Sequence, residues 1–385
     1  MLEKALTGGR GYWIFLGALS ALAAAGFLTY LGQLEAGLGI TGLSRDVPWG
    51  LYIAQLTFMV GVAASAVMVV LPYYLHHYAA FGRLAILGEL LAIAAVIMCE
   101  LFVFVDIGQP RRALNIVLHP TPSSILFWDL VVLNGYLVLN VVISRATFRA
   151  ERAGAPPPRW VKPVIYLSIP WAISIHTVTA FLYAGLAARP FWLTAILAPR
   201  FLASAFAAGP ALLILLALAV RRLSRFDPGE EAIAKLGEIV AYAMVVNVFF
   251  VALELFTALY SDIPAHVEHF TYLYVGLHGR GVLAPWMWVS LALAAVSLVL
   301  LVVPRLRRRR GLLVVASVAV VVSLWIDKGL GMVVAGFVPS PLGHVTEYWP
   351  TARETVIVLG IYALGAILLT VLYKIAIATR EELEA

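Results

Sequence analysis

Ten continuous apolar runs, each about 20 residues or longer, leave this chain one medium in which to fold. They begin near Tyr12, Trp49, Leu84, Ile125, Val161, Phe201, Leu236, Val282, Leu312 and Thr355. About 20 residues at roughly 1.5 Å per residue cross a hydrocarbon core of about 30 Å. Hydrophobic residues make up 62% of the 385 positions and charged residues 12%, against about 25% charged in soluble domains. The runs show no strand-type alternation, so helices rather than a barrel satisfy the backbone in lipid. The expected fold is therefore an all-α integral membrane protein with ten transmembrane helices. The longest connections, 147–160 with Pro156-Pro157-Pro158 and 261–281, are too short to fold alone. A single polytopic membrane domain over residues 1–385 follows, and any soluble catalytic centre belongs to another subunit.

Cations set the orientation. Of the 27 Lys and Arg, nineteen fall on the ends and the even-numbered connections, with Arg200 and Lys328 counted among the eight on the opposite side. The positive-inside rule then places both termini in the cytoplasm. The Pro304 to Arg310 run is flanked by two spans, so its arginines read as contacts to anionic lipid headgroups rather than to nucleic acid. The first run is long enough to span and no small-residue cleavage site follows it, so it reads as a span rather than a signal peptide. The one cysteine, Cys99, rules out a disulfide, an iron–sulfur cluster and a thiolate zinc site within the chain. Gly37-Leu-Gly39-Ile-Thr-Gly42 spells a dinucleotide fingerprint, yet it follows a membrane helix instead of a strand and reads as chance. Asp262, His266, Glu268 and His269 offer metal-ligand types in what reads as an irregular outer loop. A solvated or partner-facing loop and a lip of the ligand site are the competing readings.

Five ionisable residues sit inside spans and, by this topology, in the outer half: Glu100, Asp129, His176, Glu254 and Asp327. Each acid near a bilayer centre costs about 2.5 to 3.5 kcal/mol on insertion scales. A chain that only had to span would not carry them, although packing pairs between helices remain the competing reading for each. A bis-histidine haem needs paired imidazoles at matching depth, and of eight histidines only His176 lies well within a span. Haem in this chain is not expected. What fits is a ligand able to enter from lipid and to exchange protons, and a quinol does both. Helical spacing supports a connected polar path: Glu89 with Glu100 on the third span, Asp129 with Tyr136 and Asn140 on the fourth, His176 with Thr179 and Tyr183 on the fifth, and Asn247 with Glu254 on the seventh. Glu89, Glu254, Asp327 and Lys328 are singled out by depth and spacing alone.

Several phrases carry a family resemblance. Ser44-Arg-Asp-Val-Pro-Trp-Gly-Leu-Tyr52, Asp106-Ile-Gly-Gln-Pro-Arg111, His119-Pro-Thr-Pro-Ser-Ser-Ile-Leu-Phe-Trp-Asp129 and Ser174-Ile-His-Thr177 resemble the polysulfide-reductase membrane-subunit (PsrC, or NrfD-like) family. The phrases Val62 to Pro72 and Pro199 to Pro210 look closest to its DsrP branch, quinone-interacting subunits of DsrMKJOP complexes in dissimilatory sulfur metabolism. The resemblance implies two four-helix bundles plus two extra helices in a bacterial or archaeal cytoplasmic membrane. It implies a menaquinone or ubiquinone site toward the outer face, with Arg45, Asp46, Trp49, Asp106, His119, Trp128, Asp129 and His176 at the matching positions. Tyr183 joins the cofactor-binding candidates through its stripe. The implied partners are c-type and b-type cytochrome subunits, a periplasmic ferredoxin-like iron–sulfur subunit and a cytoplasmic heterodisulfide-reductase-like subunit. The expected function is quinone-linked electron transfer, possible proton translocation included. A secondary transporter and a passive membrane anchor are the rival readings; the prolines at 72, 170, 210 and 304 form no inverted pair of broken helices.

Overall fold

The computed structural model of the chain describes residues 2–155 and 157–384. Ten helices in it are long and apolar enough to cross a membrane: Arg10–Ala36, Leu51–Leu75, Ala79–Asp106, Ile125–Ala150, Val161–Ala184, Leu197–Leu223, Glu230–Ser261, Ala284–Val302, Arg310–Ala335 and Ala352–Glu381. They are called spans one to ten below. The seventh starts earlier than its apolar run because Glu230 and Glu231 occupy the first turn, where carboxylates complement the helix dipole.

Spans two to five close into one four-helix bundle and spans six to nine into a second. The two meet where span two packs on span six, while spans one and ten pair and lean on span three. Small residues permit these approaches. A Cβ on Gly26 would lie 2.6 Å from Gly360 Cα, and a Cβ on Gly209 would lie 2.9 Å from Ser65 Cβ and 3.1 Å from Gly61 O. Both described ends lie on one face, where Lys4 Nζ donates to Thr379 Oγ1 at 3.2 Å. The cationic connections share that face: Arg310 and Arg221 both pair with Glu230.

The opposite face is capped by the connections. Residues Asp262 to His269, expected as an irregular loop, instead enter a helix, Pro264–Tyr274, with Pro264 in its first turn, where proline needs no amide partner. His269 is buried against the end of span nine, its Nδ1–H shared between Ala335 O at 2.7 Å and Val338 O at 2.8 Å. Burial draws this imidazole below the usual histidine range, so it stays neutral as a structural tie. The glycine string ends span one, and the Gly42 amide donates to Glu354 Oε2 at 2.7 Å. A carboxylate of the chain itself thus occupies the amide that a phosphate-binding loop keeps for its ligand. Glu354 also accepts from Tyr348 Oη and from the Thr351 amide, each at 2.7 Å, and so pins span ten to the cap.

Candidate functional site

Each bundle holds one polar cluster. In the first bundle, Asp129 lies one turn into span four and His176 and Thr179 lie on span five; all three are buried. The Thr179 hydroxyl contacts both Asp129 Oδ1 at 2.7 Å and Ile175 O at 2.8 Å. One hydroxyl carries one proton. Thr179 can therefore donate to an ionised Asp129, or accept from a protonated Asp129 while donating to Ile175 O, and the bond survives either state. His176 is fully buried, and neither ring nitrogen has a hydrogen-bond partner. Such a group costs about 1 to 3 kcal/mol when left unmade. Tyr183, on the same stripe, bonds Thr57 of span two at 2.5 Å. Because Thr57 gives its own proton to Ile53 O at 2.7 Å, Tyr183 is the donor. Trp49 stands edge-on to Tyr183 with ring centres 5.4 Å apart and to Phe337 at 5.6 Å.

The second cluster holds Glu254 and Asp327, and the structure supplies the cation that the sequence reading placed elsewhere. Arg200, counted there among the outer-face cations, lies inside span six and is buried. Its Nη2 donates to both Asp327 oxygens, at 2.9 and 2.8 Å, and its Nη1 pairs with Glu254. Two desolvated carboxylates require such a partner, and that requirement was the signal available in the sequence. Lys328, next to Asp327, donates to Phe201 O at 3.3 Å and sits 4.4 Å above the Phe201 ring. A Cβ on Gly61 of span two would sit 3.3 Å from its Nζ, so Lys328 stands where the two bundles meet.

A seven-residue π-helical stretch, Trp325–Gly331, breaks the α-register of span nine at Asp327 and Lys328. Such bulges insert a residue into the helix and re-aim its neighbours. Trp325 Nε1 and Tyr362 Oη both donate to Gln55 Oε1, at 2.7 and 2.6 Å, another polar residue that the sequence reading passed over. Beside them lies an apolar cavity of about 400 Å³ walled by Trp286, Trp325, Tyr348, Trp349 and Tyr362. A smaller cavity of about 160 Å³ on the capped face reaches Glu254, Thr257, Ser261 and His266.

The remaining predicted residues are spread out. Glu100 accepts from Asn134 Nδ2 at 3.1 Å and Glu89, buried, from Ser144 Oγ at 3.0 Å, so both face span four as their spacing implies. Asp106 ends span three with a buried, unpartnered Oδ1. Asp46 accepts from Thr346 Oγ1 at 2.7 Å and attracts Arg189, whose guanidinium burial draws below the usual arginine range. Arg45 and His119 are exposed, as is Trp128, whose indole donates to Pro122 O at 2.8 Å. The structure does not bring these last three to either cluster.

Comparison with known proteins agrees with this architecture. A protein from Halobacterium salinarum named as a membrane subunit of dimethyl sulfoxide reductase is 27% identical, covering 94% of this chain and 89% of its own length. An Hdr-like menaquinol oxidoreductase integral membrane subunit of Archaeoglobus fulgidus is 26% identical over 63% of the chain and 60% of its own length. A selenate reductase subunit of Mesobacillus selenatarsenatis is 22% identical over 81% of the chain and 79% of its own length. The family model described as polysulphide reductase, NrfD matches residues 39–336, the stretch that contains both bundles and both clusters. The chain belongs to the polysulphide reductase NrfD family of multi-pass membrane proteins.

Proposed function

We propose that this chain is the quinone-binding membrane subunit of a multi-subunit oxidoreductase, exchanging electrons between the quinone pool and an iron–sulfur subunit docked on the capped face. The observation that carries the reading is His176, an imidazole buried in the membrane with both nitrogens unpartnered, one turn from Thr179, whose bond to Asp129 tolerates either protonation state of that acid. These residues fit a quinone: His176 and Asp129 offer proton acceptors, and Tyr183 on the stripe of His176 packs edge-on to Trp49 and offers aromatic surface. A quinol, when bound, supplies two electrons and two protons. His176 takes one proton at a free ring nitrogen, and Asp129 takes the other on its carboxylate while Thr179 turns its hydroxyl to Ile175 O. Glu254, held by Arg200, reaches the small cavity beside His266 and offers protons a way to the capped face.

The name of the Archaeoglobus relative favours menaquinone, and the motifs shared with the DsrP branch favour sulfur metabolism, with cytochrome and heterodisulfide-reductase-like partners. With no large extramembrane segment, all 385 residues act as one membrane domain, and the electrons pass to the docked partner. A second placement of the ring is favoured by the 400 Å³ aromatic cavity, whose size and apolar walls suit a small ligand. That cavity offers indole and phenol groups but no carboxylate or imidazole.

Quinone extracted from the purified complex, together with quinol-linked electron transfer, tests the assignment. Asp129→Asn or His176→Ala is expected to lower the electron-transfer rate by about 10² to 10⁴-fold while the complex still assembles. Wild-type turnover in both, with loss in Trp325→Ala, moves the ring to the aromatic cavity. Solute counterflow in proteoliposomes without bound quinone would favour a transporter instead.

A further inference from the structure

On the arginine-rich face, spans three, four and ten enclose a concave groove of about 850 Å³. Its mouth carries Arg145, Arg149 and Arg152, and its walls include Ile93, Phe148 and Leu372. The spacing of the arginines, four and then three residues, puts all three on one stripe of the helix. Among the described residues none of the three is in an ion pair, whereas Arg221 and Arg310 on the same face both pair with Glu230. Three positive charges at the rim of an apolar trough, at the depth where headgroups lie, need a ligand that is anionic at one end and greasy along its length. From Val141 to Ala153 the trough runs about 18 Å at 1.5 Å per residue. That is a little over half of a hydrocarbon core of about 30 Å, the depth of one leaflet.

We infer that this groove is a specific binding site for an anionic phospholipid, with its phosphate on Arg145, Arg149 and Arg152 and an acyl chain laid between spans three, four and ten. Charge complementarity selects the occupant. A free phosphate would leave the apolar walls uncovered, and an apolar helix of a partner or of a second copy would leave the three guanidinium groups without counter-charge. Basic pockets between membrane helices hold lipid headgroups by the same electrostatics. The site lies apart from the Asp129 and Arg200 clusters, so it stands whether or not the quinone assignment does.

The test uses the full chain within its complex, purified in mild detergent, stripped of lipid and then exposed to mixed micelles of phosphatidylglycerol or phosphatidylcholine. Retained lipid is counted by mass spectrometry after washing. Phosphatidylglycerol is expected to be retained at one per chain and phosphatidylcholine about fivefold less or lower. The triple variant R145Q/R149Q/R152Q is expected to lose the preference, and Val141→Trp, which fills the trough without touching the arginines, to lower retention of both lipids. An unchanged gel-filtration profile shows that each variant is folded; should the triple variant not fold, R149Q alone is expected to reduce the preference at least twofold. Equal retention of the two lipids by the wild type, or an unchanged preference in folded R145Q/R149Q/R152Q, overturns the proposal. So does displacement of phosphatidylglycerol by inorganic phosphate alone, which would reduce the site to an anion contact. A crosslink from a photoreactive benzophenone amino acid placed at position 141 to a partner helix or second copy in the native membrane overturns it as well, because the groove is then an interface.

Discussion

Arg200 decides whether the second bundle can keep its acids in the membrane. Its two terminal nitrogens serve Asp327 and Glu254, while Lys328 donates to Phe201 O instead. Removing one member of a buried ionic group leaves a charge without solvent or partner, at a cost of about 3 to 5 kcal/mol. Arg200→Met is therefore expected to lower thermal stability in detergent steeply. Adding Glu254→Gln and Asp327→Asn to Arg200→Met is expected to recover much of the loss, because neither carboxylate is then left without its cation. If the triple variant melts no higher than Arg200→Met, the arginine acts through packing rather than charge. Asp129 and His176 differ in kind: Asp129 is met by the Thr179 hydroxyl and His176 by no hydrogen-bond partner, which leaves them free to change protonation.

At the scale of elements, small residues and one irregular turn bring the clusters together. Span two approaches span six at Gly61, Ser65 and Gly209, and a Cβ on Gly61 would sit 3.3 Å from Lys328 Nζ. The π-helical stretch of span nine carries Asp327 and Lys328 in succession, one to Arg200 and the other to Phe201 O. Gly209→Val adds three carbons where one already lies 2.9 Å from Ser65 Cβ. Overpacking of this kind costs about 1 to 3 kcal/mol. The expected result is a lower melting temperature together with slower quinol-linked turnover, as the two bundles are pushed apart. Gly311→Val, at a glycine with open space around it, is the matched control. Equal turnover in the two variants would falsify the idea that the bundle junction sets the site.

For the whole molecule, the polar residues form a discontinuous track across span three and span four. Glu89 lies toward the arginine-rich face under Ser144, Asn140 and Tyr136 follow on span four, and Glu100 with Asn134 lies nearer the cap. A small void touches Glu89, Tyr136, Asn140 and Ser168. Carboxylate relays of this form carry protons in membrane pumps. If this one does, Glu89→Gln keeps quinone bound but lowers the number of protons moved per electron in sealed vesicles. An unchanged ratio assigns Glu89 to helix packing through Ser144.

The sequence alone determined the ten helices, because a run of about 20 apolar residues has few other ways to satisfy its backbone in lipid. It also marked Asp129, His176, Glu254 and Asp327, since buried charge is conspicuous wherever its cost is high, and the stripe from His176 to Tyr183 followed from helical period. It could not say which acid meets which base. Arg200 looks like a loop cation because it stands next to Pro199 at the edge of its run, and only the packing of span six against spans seven and nine turns it inward. The arginine groove was hidden for the same reason: Arg145, Arg149 and Arg152 read as ordinary inner-face charges until span ten closes the trough beside them. Periodicity fixes the face of one helix. Partners between helices depend on close approaches and a local π-turn, and those are settled by non-local contacts that no stretch of sequence contains.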